Sequence, residues 1–167
     1  MPEALLITGT IGAGKTTVAK AIGELLGARG IPTAVIDLDW LGWVHAVEKP
    51  PAKLISENLA SMWTTLRGHG VERIVMARAV RTLPEITAIQ DAVSPAALRV
   101  VRLEASAETI YERLRARDTG AELEEHLAQV PTFSAELDAA GLEELTISSE
   151  GAPADVAAMM IDALVWA

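Results

Sequence analysis

Short apolar runs alternate along this chain with longer segments whose apolar positions recur every three or four residues. The runs are Ala4–Thr8, Thr33–Asp37, Arg73–Ala77, Arg99–Leu103 and Glu144–Ser148. Their length and β-branched content predict buried strands. The intervening periodicity predicts helices at Lys15–Arg29, Ala52–Arg67, Pro84–Ala92, Ala107–Arg117 and Pro153–Val165. Gly27, Gly30 and Pro32 close the first helix, and Gly68 and Gly70 close the second. Such alternation predicts an α/β fold, a parallel sheet with helices on both faces. No repeat, low-complexity tract or linker interrupts it, so residues 1–167 are expected to form one domain.

The first strand leads into Gly9-Thr10-Ile11-Gly12-Ala13-Gly14-Lys15-Thr16, a complete G-x-x-x-x-G-K-[ST] motif. Glycines let the backbone wrap an anion with its N–H groups pointing inward, and the following helix adds its positive end. The motif predicts a nucleoside triphosphate site, ATP with Mg²⁺. Gly9, Thr10, Gly12, Ala13, Gly14 and Thr17 supply backbone around the phosphates, Lys15 reaches the β- and γ-phosphates, and Thr16 ligates the metal.

Composition narrows the partners. The formal net charge is −9, which argues against a nucleic-acid surface, and ten of fourteen basic residues are Arg, suited to bidentate phosphate contacts. No apolar stretch reaches the length of a membrane span, and Met1-Pro2-Glu3 has no basic leader region. Zero cysteines fit a reducing cytoplasm. The expectation is a cytoplasmic enzyme, monomer or homodimer, that acts on a small molecule without nucleic-acid or membrane partners.

Candidate chemistry clusters after the strands. Ligands of open α/β sheets gather at the strands' carboxyl ends, where the second strand finishes in Asp37-Leu38-Asp39. Residues two apart on a strand point the same way, so both carboxylates are expected to face one pocket. One can hold Mg²⁺ through bound waters while the other orients or deprotonates a hydroxyl. The third strand runs through Ile74-Val75-Met76-Ala77 into Arg78, and no acid follows before Glu85. Motors and most switch GTPases need an acid there, so the pattern points toward small-molecule kinases.

Arg78 and Arg81 are either a clamp for an anionic acceptor or surface charges. Arg113 and Arg117, four apart, share a helix face and can serve the nucleotide, whereas Arg115 points elsewhere. Trp40 and Trp43 suggest an acceptor pocket with an apolar or planar wall, and Asn58 a polar contact near it. His45, His69 and His126 show no ligand spacing and are read as ordinary.

Asp118–Ala140 stands outside the alternation. Short helices are expected at about Ala121–Gln129 and Ser134–Ala140, separated by Val130-Pro131-Thr132. The segment reads either as a surface excursion or, favoured by its place after an Arg-rich helix end, as a lid over the triphosphate.

On Gly9–Thr16, Asp37-Leu38-Asp39 and Arg113–Arg117 the chain resembles P-loop small-molecule kinases of the shikimate, gluconate and adenylylsulfate kinase type. Asp37–Trp43 and Arg113–Leu127 are similar to small AAA-family ATP-binding proteins and adenylylsulfate-kinase-like proteins. The resemblance implies a P-loop NTPase three-layer fold, a five-stranded parallel sheet in the order 2-3-1-4-5 with a helical lid at about residues 118–140. It also implies that Asp37 supports Mg²⁺, that Asp39 is the base, and that Ser148–Ala152, with Gly151 and Ala152, borders the adenine. The shikimate-binding Gly-Gly-Gly motif is absent. The expected reaction is phosphoryl transfer from ATP to a metabolite hydroxyl. The alternatives are a nucleoside monophosphate kinase, with Arg78 and Arg81 on a phosphate acceptor, or a nucleotide-binding regulatory module without an acceptor.

Overall fold

The computed structural model describes residues 1–45, 48 and 51–166, and the side chains of all of these except 51 and 52. In chain order the elements are β1 (Glu3–Thr8), α1 (Lys15–Ala28), β2 (Thr33–Asp37), a 3₁₀ turn (Leu38–Gly42), α2 (Pro51–Gly68), β3 (Arg73–Ala77), α3 (Leu83–Ala92), β4 (Ala97–Glu104), α4 (Ala107–Arg117), α5 (Gly120–Ala140), β5 (Leu145–Ser148) and α6 (Pro153–Leu164). All strand pairs are parallel, in the order β2-β3-β1-β4-β5.

Side chains alternate across the sheet with period two, which divides the core. Leu5, Ile7, Val75, Ala77, Val101 and Leu103 pack against α1 and α6. Ala4, Leu6, Ile74, Met76 and Val100 face the opposite layer, with Leu59 and Trp63 of α2 and Ile89 of α3. Sheet residues between two helical layers are buried on both faces, which explains their nearly continuous apolar runs. Truncating a fully buried member such as Leu6 to Ala costs about 2–5 kcal/mol.

The register sets where the chemistry lies. Ile7 is level with Ala77, and Ala77 is level with Asp37. Strands β1, β2 and β3 therefore end within one residue of each other, β1 running on to Thr8, and the connections that follow them open at one edge of the sheet.

Residues 118–140 differ from the expectation of two short helices. Gly120–Ala140 is one 21-residue helix with Pro131 inside it. A proline in a helix interior removes a hydrogen bond and costs about 3 kcal/mol or more. What carries the helix through is an apolar face: Leu123, Leu127 and Val130 pack on Ile110 and Leu114 of α4, and Leu137 is buried further along. This side-chain packing overrides the local breaker, and the helix stops only at Gly141, in the left-handed conformation.

Candidate active site

The Gly9–Thr16 turn joins β1 to α1, with Gly14 as the residue capping α1. Gly9 has φ 144°, and a Cβ there would lie 2.6 Å from the Leu103 carbonyl oxygen. At Gly12, φ is 80° and a Cβ would press on Ile110 at 3.0 Å. Both positions require glycine, because the turn lies directly against β4 and α4. The result is a backbone concavity at a helix N-terminus, a geometry that holds anions.

This turn forms one wall of a cavity of about 530 Å³. Gly12, Ala13, Gly14, Lys15, Thr16 and Thr17 line it, as do Asp37, Asp39, Arg113, Arg117 and Gly151. Ile11, Pro153 and Val156 add an apolar portion. Gly9 and Thr10 shape the turn without lining the cavity; the Thr10 carbonyl accepts a hydrogen bond from Lys15 Nζ at 2.9 Å. Burial pushes the Lys15 pKa down to about 8, with Asp39 and Asp37 opposing the shift and Arg117 adding to it.

Thr16 Oγ1 donates to Asp37 Oδ2 at 2.7 Å. The other carboxylate oxygen of Asp37 accepts the Asp39 backbone N–H at 3.1 Å, capping the 3₁₀ turn. A hydroxyl and a carboxylate thus meet beside the phosphate turn, the hard oxygen set that suits Mg²⁺ with its remaining waters. Asp37 and Asp39 share the cavity, as expected, but not through strand alternation: β2 ends at Asp37, and the capped turn brings Asp39 in.

Arg113 donates through Nη1 to the Gly12 and Ala13 carbonyls (3.5 and 3.3 Å) and Ser149 Oγ (3.1 Å), and through Nη2 to the Ser149 carbonyl (2.5 Å). It therefore ties the phosphate turn to the β5–α6 connection. Glu150 ties that connection to α4, accepting from the Ser106 N–H at 2.6 Å and the Thr109 hydroxyl at 2.7 Å. These hydrogen bonds, the Ser106 N–H first, hold the Glu150 pKa below its ordinary value. Gly151 borders the cavity, whereas Ala152 caps α6 outside it.

Arg117 chelates Asp118, with Nε to Oδ1 at 2.6 Å and Nη2 to Oδ2 at 2.9 Å. His126 Nδ1 lies 2.7 Å from the same carboxylate. Asp118 is buried, and the Arg117 hydrogen bond, followed by that of His126, holds its carboxyl well below the usual carboxylate range. His126, expected to be ordinary, is thus part of the ion-pair cluster around the buried Asp118. Asp118 lies in extended backbone two residues before α5, so no helical spacing announces the contact, yet the ligand atoms of Asp118, Glu122 and His126 lie within 4.8 Å of one another. Arg117 already supplies the positive charge that Asp118 needs.

Of the expected acceptor residues, Asp39 lines the cavity, whereas Trp40, Trp43, Asn58, Arg78 and Arg81 lie outside its lining. Arg78 donates its backbone N–H to Ile7 and pairs its guanidinium with Asp39. Arg81 pairs with Glu136 at 2.7 Å and stacks over Phe133 at 4.5 Å. Asn58 donates to the Leu41 carbonyl at 2.8 Å, so its amide braces the 3₁₀ turn. Trp40 and Trp43 contact each other with ring centroids 4.6 Å apart.

Residues 5–130 match the family model described as AAA domain. A search of curated proteins finds no match. Among solved structures, the chain is similar to the Deinococcus radiodurans tunicamycin resistance protein, at 16% identity over 98% of this chain and 96% of that one (TM-score 0.70). It is similar to a shikimate kinase from Bacteroides thetaiotaomicron, at 16% identity over 98% of both chains (TM-score 0.68). An unliganded sugar kinase from Janibacter sp. HTCC2649 matches at 14% identity over 99% of this chain and 95% of that one (TM-score 0.67). At such identities the likeness is one of fold, and it agrees with the phosphate turn, the strand order and the parallel sheet. The chain belongs to the AAA-domain family and has the fold of the solved kinases it is similar to.

Proposed function

We propose that the protein transfers the γ-phosphoryl group of ATP, with Mg²⁺, to a hydroxyl of a small-molecule metabolite. One observation carries the reading: Lys15, the Thr16–Asp37 pair and Asp39 line a single cavity beside the phosphate turn. A donor half alone would need no second carboxylate there.

The turn's N–H groups and the α1 N-terminus bind the triphosphate oxygens, and Lys15 moves from the Thr10 carbonyl to the phosphates. Thr16 and Asp37 would hold Mg²⁺, which supplies charge neutralisation on the transferred group. Asp39 accepts the acceptor's hydroxyl proton as its oxygen bonds to the γ-phosphorus and the bond to the bridging β–γ oxygen breaks, releasing ADP. A positioned base of this kind contributes roughly 10²–10⁴-fold. Arg78 orients the Asp39 carboxylate. Arg113 keeps the turn in register with the β5–α6 connection, and Arg117 stabilises the transferred charge.

In this reading α5 acts as the lid. Its first half rests on the small cluster of Ile110, Leu114 and Val130, separate from the two main cores, while Glu136 and Asp138 anchor its second half by pairing with Arg81 and Arg102; the first half is therefore the part that closes. Closure excludes water from the transfer. The reading includes a cytoplasmic location, a monomer or homodimer, and no nucleic-acid or membrane partner. No helix among the described residues is long and apolar enough to cross a membrane.

Adding metabolites to enzyme, ATP and Mg²⁺ should stimulate ADP release for the true acceptor. Asp39→Asn should abolish that stimulation while ATP still binds. Full transfer in Asp39→Asn overturns the assigned role.

A further inference from the structure

The 3₁₀ turn after β2 has three residues per turn, so positions three apart fall on one side. Leu38 is fully buried and Leu41 packs against the same core, which fixes the inner side. Asp39 lines the cavity. Trp40 and Trp43 form the outer side, 66% and 62% exposed, with their rings in contact. The turn is held at both ends, by Asp37 accepting the Asp39 N–H and by Asn58 donating to the Leu41 carbonyl. Two large indoles are thus presented to solvent on a braced platform, next in sequence to the proposed base. Exposed tryptophans on such a platform supply stacking area at little conformational cost.

Charge at this edge points the same way. An anionic acceptor is held best by a cation that has no carboxylate partner of its own. Arg78 pairs with Asp39, and Arg81 is held by Glu136 and Phe133. Lys53, on the first turns of α2, pairs with Glu57 at 3.7 Å. Among the described residues, each of these cations already faces a carboxylate, whereas the indoles face solvent.

Resting on the phosphotransfer reading, we infer that the acceptor is an uncharged, ring-bearing alcohol whose flat face stacks on Trp40 and Trp43. A planar aromatic ring and the C–H face of a sugar ring offer the same chemistry to an indole. The platform binds the ring and Asp39 receives the hydroxyl proton. The two tryptophans are specificity residues, felt in acceptor affinity more than in the chemical step.

The test reads binding and transfer separately. The probes are methyl β-glucoside and uridine as neutral rings, and gluconate and shikimate as anions. Trp63 and Trp166 are buried, so quenching of the exposed tryptophan emission reports on the platform. The inference expects quenching by a neutral probe, lost in W40A/W43A and restored in W40F/W43F when read by calorimetry. Stronger binding of uridine assigns a planar ring, and stronger binding of the glucoside assigns a sugar face. Where a neutral probe also stimulates ADP release, W40A/W43A should raise its KM about tenfold with kcat largely kept. Overturning results are binding of the anions alone, no binding by either neutral probe, or neutral-probe binding unchanged in W40A/W43A. Tryptophan-dependent binding without stimulated ADP release upholds the platform and counts instead against phosphotransfer.

Discussion

Thr16 and Asp37 are hydrogen-bonded across 2.7 Å, joining the first turn of α1 to the end of β2. They are 21 residues apart, and only the near-level ending of the strands brings them together. The pair gives the metal reading its sharpest consequence. Asp37→Asn should bind ATP with nearly the same affinity in the presence and absence of Mg²⁺, whereas the unaltered protein should bind more tightly with the metal. Calorimetric titration with and without Mg²⁺ checks this, and a preserved metal effect in the variant removes Asp37 from the site.

Arg113 serves three residues through one planar guanidinium. Arg113→Ala should weaken ATP binding by about tenfold or more, since hydrogen bonds to charged groups contribute about 1.5–3 kcal/mol. Arg113→Lys should recover little, because an ammonium cannot reproduce the fork that reaches the Ala13 carbonyl and Ser149 together. Equal affinity of the Lys variant and the unaltered protein contradicts the clamp.

Asp118 makes stability depend on pH. Its folded-state pKa is depressed, by Arg117 first and His126 second, so its contribution is present above the unfolded carboxyl value of about 4. That contribution is lost as pH falls through the lower folded value. Melting temperatures of the protein and Asp118→Asn should therefore differ at pH 6–8 and converge below about pH 4. A gap that persists unchanged in acid excludes the ion pair as its source.

Pro131 offers a test of α5 itself. If the helix is continuous, Pro131→Ala restores a backbone donor and should stabilise by about 1–3 kcal/mol, read as a higher Tm. Two separate helices with a turn at Val130–Thr132 would instead lose a preorganised turn residue, and Tm would fall.

How legible the chain was depends on where each instruction resides. The expected ranges of β2, β3 and α4 match the observed ones residue for residue, because short runs bounded by Gly, Pro or a strong cap carry their own limits. The continuity of α5 is not legible, since Pro131 is a local signal for a break, whereas the face that overrides it depends on Ile110 and Leu114 of another helix. The phosphate turn was readable for the opposite reason: its work is done by backbone geometry, which the glycine positions specify. Side-chain partners were not. Arg81 meets Glu136 across 55 positions, Asn58 meets the Leu41 carbonyl, and His126 joins Asp118; each depends on rotamers and packing that no spacing rule encodes.

The near-level ending of β1, β2 and β3 at Thr8, Asp37 and Ala77 makes the sheet edge a mounting rail. The phosphate turn is fastened to one position on it and the Leu38–Trp43 segment to another, with the sheet between them. A lineage could exchange the second fitting for a differently lined one and leave the first in working alignment. Substrate preference then becomes a replaceable part, changed by a handful of residues on a scaffold that need not be rebuilt.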